Sequence, residues 1–152
     1  MKHIKIATAL AASALLASTS AFAAINPDAV HLAVDSLLVA SSKMSVVNAI
    51  RKNGKPPSTN AEARLGAPSA MTTTEISGIV VNKGGVLNVY LAPVTGTDHG
   101  LVQYTPKIVT TKKGKDAVQF SCTSPNIPEI ATIAPACKYQ PANQPASEPK
   151  KK

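Results

Sequence analysis

An α+β domain is the fold class the sequence predicts: one N-terminal amphipathic helix packed on a four-stranded antiparallel meander, with a disulfide-closed loop at the C-terminal end. Three observations predict it. Apolar residues from Val30 to Ile50 recur at spacings of three, four and seven, the period of one helix face. From residue 75 the pattern changes to short β-branched runs separated by Gly-rich turns. The only two cysteines, Cys122 and Cys137, then flank a proline-containing segment near the end of the chain.

Residues 1–23 predict an export signal. Lys2 and Lys5 make a basic head, an Ala- and Leu-rich run follows, and Ala21-Phe22-Ala23 is a small-x-small cleavage site. The alternative is a membrane anchor. Serines and threonines interrupt the run, whereas a spanning helix needs about 20 predominantly apolar residues. Cleavage is expected after Ala23. The mature chain then begins at Ala24, has no stable membrane anchor, and resides in the periplasm, on a fibre or outside the cell. An even cysteine count in an exported chain reads as a disulfide, and two cysteines allow one intramolecular pairing, Cys122–Cys137. A reactive thiol is the alternative. The spacing matches no zinc or CxxC redox motif. Closing a loop of this size stabilises by ~3 kcal/mol in the chain-entropy account.

The chain of 152 residues leaves room for one small domain, expected over 24–139. Aromatics are 3% and tryptophan is absent, so its core must be aliphatic. The net charge is +8, with Lys150, Lys151 and Lys152 at the very end, so the body is mildly basic. Such a charge favours solubility and weak attraction to anionic surfaces and is silent on fold.

The helix is expected over 27–53. Asn26 can cap it, Pro27 suits its first position, and Asp28 complements the positive end of its dipole. Val30, Val34, Leu37, Leu38, Met44, Val47 and Ile50 form the apolar stripe. Arg51 and Lys52 suit the last turn, Asn53-Gly54 supplies a left-handed stop, and Pro56-Pro57 forbids continuation. Residues 54–74 form a long connection, with one helical turn available around Glu62 before Gly66. Strands are expected over 75–81, 86–91, 101–110 (dented by Pro106) and 117–122, joined by turns at Lys83-Gly84-Gly85, at 95–100 and at 112–116. The tail 140–152 is rich in Pro, Ala and Lys. It carries too little apolar surface to offset its ordering and is expected to be disordered.

Candidate chemical groups are few. Past the signal the histidines are His31 and His99. Asp98-His99 in a Gly-flanked turn reads as a turn before it reads as a triad fragment. His31 borders the apolar stripe. Neither an enzyme nor a metal or cofactor site is expected. Lys112, Lys113 and Lys115 cluster at a hairpin tip and are the candidate anion contact, for instance with DNA phosphates. The stretch lacks aromatics for base stacking, and a solvated turn is the simpler reading.

Several strings, in order, resemble the type IV pilins of Gram-negative bacteria. Asn60 to Pro68 reads N-A-E-A-R-L-G-A-P and is similar to that family's N-x-E-A-G-L-x-A-P, with Arg64 where glycine is usual. Residues 76–89 look like the family's first hairpin. Val118-Gln119-Phe120-Ser121-Cys122 looks like its I-x-W-x-C strand, and Ile133-Ala134-Pro135-Ala136-Cys137 like its closing L-P-x-x-C. The similarity covers about residues 29–139. The prepilin leader and the apolar half-helix of that family are replaced here by the Sec-type signal.

The resemblance implies that the stapled segment is the pilin D-region, an exposed contact surface over 124–133. Ser124, Pro125, Asn126, Ile127, Pro128 and Glu129 are its candidate contact residues. It further implies a structural or interaction role in pilus function or adhesion. The partners would be other pilins, pilus assembly proteins, or host and surface receptors. DNA uptake through Lys112, Lys113 and Lys115 is the second functional expectation.

Overall fold

A computed structural model describes residues 24–97, 99–110 and 116–142. The expected signal, the lysine cluster 112–115, Asp98 and the tail beyond Ala142 lie outside the described residues.

The chain enters helix α1 (Pro27–Val34) as its sequence dictates. The Asn26 side chain accepts from the Ala29 amide at 3.2 Å, Pro27 opens the helix and Asp28 lies in its first turn. The single helix expected to residue 53 is instead two. The chain breaks at Asp35-Ser36, and α2 (Leu37–Asn53) begins from a new cap, with Ser36 extended and its hydroxyl accepting from the Val39 amide at 3.2 Å. Ser and Asp compete locally with the helical ladder, and a serine cap supplies the alternative here. The break also changes the buried face. Val34 is buried, but Leu37, expected in the apolar stripe, is 84% exposed, and Val39 is buried in its place. Met44, expected inside, is 54% exposed, while Val46, Val47 and Ile50 point to the core. Helix α2 ends on Gly54, left-handed at φ 68°, whose amide donates to the Ile50 carbonyl. Within Pro27–Asn53 one 18-residue window reaches a mean hydropathy of 1.3, enough by length and composition to cross a membrane, a test that the core helix of a soluble protein also passes. The buried apolar side chains of this stretch belong to the core shared with the sheet.

The sheet differs from the expected four-stranded antiparallel meander. It is five-stranded and mixed, in the order β1 (Ile76–Asn82), β2 (Val86–Leu91), β3 (Leu101–Thr110), β4 (Asp116–Ser124), β5 (Cys137–Tyr139). The first three pairings are antiparallel, and β5 joins β4 in parallel. A parallel neighbour needs a crossover of about a dozen residues. The segment 125–136, with the one-turn helix α3 (Ile130–Ile133), supplies it.

Between β1 and β2, Gly84 and Gly85 both take positive φ, and a Cβ on Gly85 would press Pro106, Pro56 and Val46 at 3.1–3.3 Å. Pro106 does not interrupt β3. β2 pairs with β3 only from Leu101 to Tyr104, so Pro106 lies beyond the end of that ladder and is paired with Phe120 on β4 alone.

The core is aliphatic, as the composition requires. Val30, Val39 and Val46 from the helices meet Ile79, Leu87, Val89 and Val102 from the sheet, and Ile127 and Ile130 close it from the crossover. Tyr104, the one fully buried aromatic side chain among the described residues, donates its hydroxyl to the Val34 carbonyl at 3.2 Å. Lys43 lies 4.7 Å from the Tyr104 ring centroid. On the opposite edge, Asn60 works as a surrogate strand. Its side chain accepts from the Val81 amide at 2.6 Å and donates to the Ile79 carbonyl at 2.9 Å, pairing the outer edge of β1.

Candidate interaction site

The loop between the cysteines is built from the sheet outward. Cys122 on β4 and Cys137 on β5 are register partners, with Cα atoms 4.4 Å apart, and their sulfurs are bonded. The disulfide therefore ties a three-residue edge strand to its neighbour. Such a short strand has few ladder bonds of its own, so the covalent bond secures the end of the crossover. The expected pairing is formed.

Two polar side chains fix the start of the loop. The Ser124 hydroxyl donates to the Leu101 carbonyl at 2.7 Å and accepts from the Ile127 amide at 3.1 Å. Asn126 accepts from the Leu101 amide at 3.0 Å and donates to the His99 carbonyl at 2.8 Å. Ile127 and Ile130 then bury their side chains completely. Of the six candidate contact residues, Ser124 and Ile127 are thus interior supports. Pro125 is half-buried, and Asn126, Pro128 and Glu129 face outward with Ala131, Thr132, Pro135 and Ala136 beyond them. Nothing in the sequence string separates supports from surface except chemistry. Serine and asparagine in a loop favour local backbone bonds, and the isoleucines are its only large aliphatics.

The outward residues adjoin a shallow, mostly apolar depression formed by Ile25, Pro27, Glu129, Thr132 and Ile133. The loop therefore presents a firm relief of prolines, alanines and short polar groups. Glu129 is the one ionisable side chain among these outward residues.

A second surface lies on the outer side of α2. Leu37, Ala40, Ser41, Met44 and Asn48 are exposed along the outer side of α2, at helical spacing and without a charge. The signal was present in the sequence as apolar residues on more than one side of the helix, and the break at Ser36 decides which of them face out.

The other candidate groups are His31, His99 and the three lysines. His31 Nε2 pairs with Asp35 at 3.5 Å on an exposed helix turn. His99 is exposed with φ 55°, its carbonyl held by Asn126. Among the described residues no three His, Cys, Asp or Glu side chains gather as a metal set would require. Lys112, Lys113 and Lys115 lie outside the described residues, between Thr110 and Asp116, which face each other in the β3–β4 register. No family model and no curated protein matches the chain.

Proposed function

We propose that this chain is an exported, pilin-like protein with a structural or interaction role in type IV pilus function or adhesion. The observation that carries the reading is the order of parts: a helix on the sheet, a meander, then a disulfide-closed crossover. In this reading the uncharged outer stripe of α2 packs against other pilin subunits, and the outward loop residues Asn126, Pro128 and Glu129 contact receptors or neighbouring subunits. A disulfide requires an oxidising compartment, which supports export to the periplasm, to a fibre or to the medium. Deleting the gene and scoring piliation, twitching and adhesion tests the proposal. Loss of any of the three, restored by the intact gene, supports it, and no change in all three contradicts it.

A second reading is DNA contact through Lys112, Lys113 and Lys115. The exposure of Lys107 on the same β3–β4 arm favours it, because a further cation there extends the basic cluster. Salt-sensitive DNA binding that weakens on replacing the three lysines by alanine supports it, and binding unaffected by that change removes it.

A further inference from the structure

The C-terminal half of α2 meets the turn 60–65 at an open polar groove of about 330 Å³. Ser45, Asn48, Lys52 and Asn53 line it from the helix, and Glu62 and Arg64 from the turn. Arg64 is held at φ 57°, a left-handed conformation that glycine takes freely and a residue with a Cβ takes at a cost. The surrounding backbone imposes that conformation. The Arg64 amide donates to the Ala61 carbonyl, the Leu65 amide to the Asn60 carbonyl, and Asn60 itself is anchored on β1. The arginine gives the fold nothing visible in return. Its side chain is exposed, and among the described residues His31–Asp35 is the ion pair formed, so neither Arg64 nor Lys52 has a carboxylate partner. Strain kept at an exposed, unpaired cation in a groove points to a ligand.

The groove's charge decides the ligand's class. Glu62 contributes one negative charge, with one carboxylate oxygen accepting from the Ser58 amide at 2.6 Å. The end of α2 adds roughly half a negative charge. Lys52 and Arg64 outweigh these, and Arg51 and Lys55 are close in sequence. A run of phosphodiesters would be repelled by Glu62 and would leave its second oxygen unused. A polyhydroxy ring has donors for that oxygen and acceptors for the Asn48 and Asn53 amides.

We propose that this groove binds an acidic saccharide. Arg64 takes the sugar carboxylate in a two-point contact, Lys52 adds the second positive charge, and the amides with Ser45 and Glu62 pair with ring hydroxyls. The inference stands apart from the pilus reading, because it concerns a ligand and not assembly.

The test is a titration of the purified, isotope-labelled chain, followed by amide NMR shifts, with glucuronic acid, glucose and sodium sulfate as separate probes. Glucuronic acid is expected to shift amides in 45–53 and 61–64 with an affinity at least tenfold above that for glucose. Arg64→Gly is expected to lower that affinity at least tenfold while raising the melting temperature, because the strain is relieved. Lys52→Gln, on an exposed helix position, is expected to weaken binding with the melting temperature unchanged, and it carries the test if the glycine variant folds poorly. Equal response to glucose, the same shifts with sulfate (an adventitious ion only), no response to glucuronic acid, or unchanged affinity in the variants would each overturn the proposal.

Discussion

The Tyr104 hydroxyl donates to the Val34 carbonyl at 3.2 Å, so strand β3 holds the end of α1 at the point where the chain turns into α2. The last carbonyls of a helix have no partner within it, and a buried one left unpaired is costly. Tyr104 supplies the partner from 70 residues away. The break in the N-terminal helix is thus a tertiary feature, secured jointly by the Ser36 cap and a sheet tyrosine.

Tyr104→Phe removes the hydroxyl and keeps the ring under Lys43. The expected loss is about 1–2 kcal/mol, because the Val34 carbonyl stays buried without a donor. Urea unfolding should show a lower midpoint at unchanged slope. An unchanged midpoint would mean that water or another donor replaces the hydroxyl.

Alkaline pH should act through the same residue. Burial first, and then the negative charge of Asp35, push the Tyr104 hydroxyl well above its ordinary value of 10.0. The folded state therefore holds this proton more tightly than the unfolded chain does. Its contribution to stability is complete below about pH 10 and is lost as pH rises beyond that toward the folded value. Stability measured across this range should decline in the wild type, and the decline should be smaller in Tyr104→Phe. Identical slopes in the two proteins would remove Tyr104 from the account.

Reducing the disulfide, or changing Cys122→Ser, should destabilise the domain by about 2–5 kcal/mol. The local expectation is sharper. β5 pairs with β4 over three positions only, so amide exchange should rise first at Cys137, Lys138 and Tyr139. Protection retained there under reductant would show that the ladder alone holds the edge strand.

Asn60→Ala removes two bonds to the edge of β1 and one to the Gly66 carbonyl. A loss of about 1–3 kcal/mol is expected. Asn60→Asp keeps an acceptor for the Val81 amide and loses both donated bonds, so it should fall between wild type and alanine. Equal stability of all three proteins in thermal unfolding would contradict the surrogate-strand role.

What the sequence made legible follows from range. The Asn26-Pro27 cap, the Gly54 stop and the Gly84-Gly85 turn are local chemistry, and each forms where its residues predict. The cysteine pairing was legible because two thiols allow one answer. The helix break was not, since Val34, Leu37 and Leu38 continue the helical period and only Tyr104 and the Ser36 cap together favour stopping. β5 was missed because three residues show no alternation, and its partner is set by the disulfide. Asn60 reads as a loop residue until β1 is folded beside it. In the stapled loop, composition marked the segment, but Ser124 and Ile127 separate from Pro128 and Glu129 only once Leu101 lies beneath them.

The measurement that tests the functional account most directly is fractionation of cells expressing the chain, wild type and the double variant Leu37→Lys, Met44→Lys. Surface fibres are sheared off and separated from periplasm and medium, and the intact mass of the chain is taken in each fraction. Both substituted positions are exposed, so folding stability should change by less than about 0.5 kcal/mol. The account predicts a chain starting at Ala24 that travels with the fibres in the wild type and is released from them in the double variant. A chain absent from fibres in both, or bound equally in both, would contradict the role given to the outer stripe of α2.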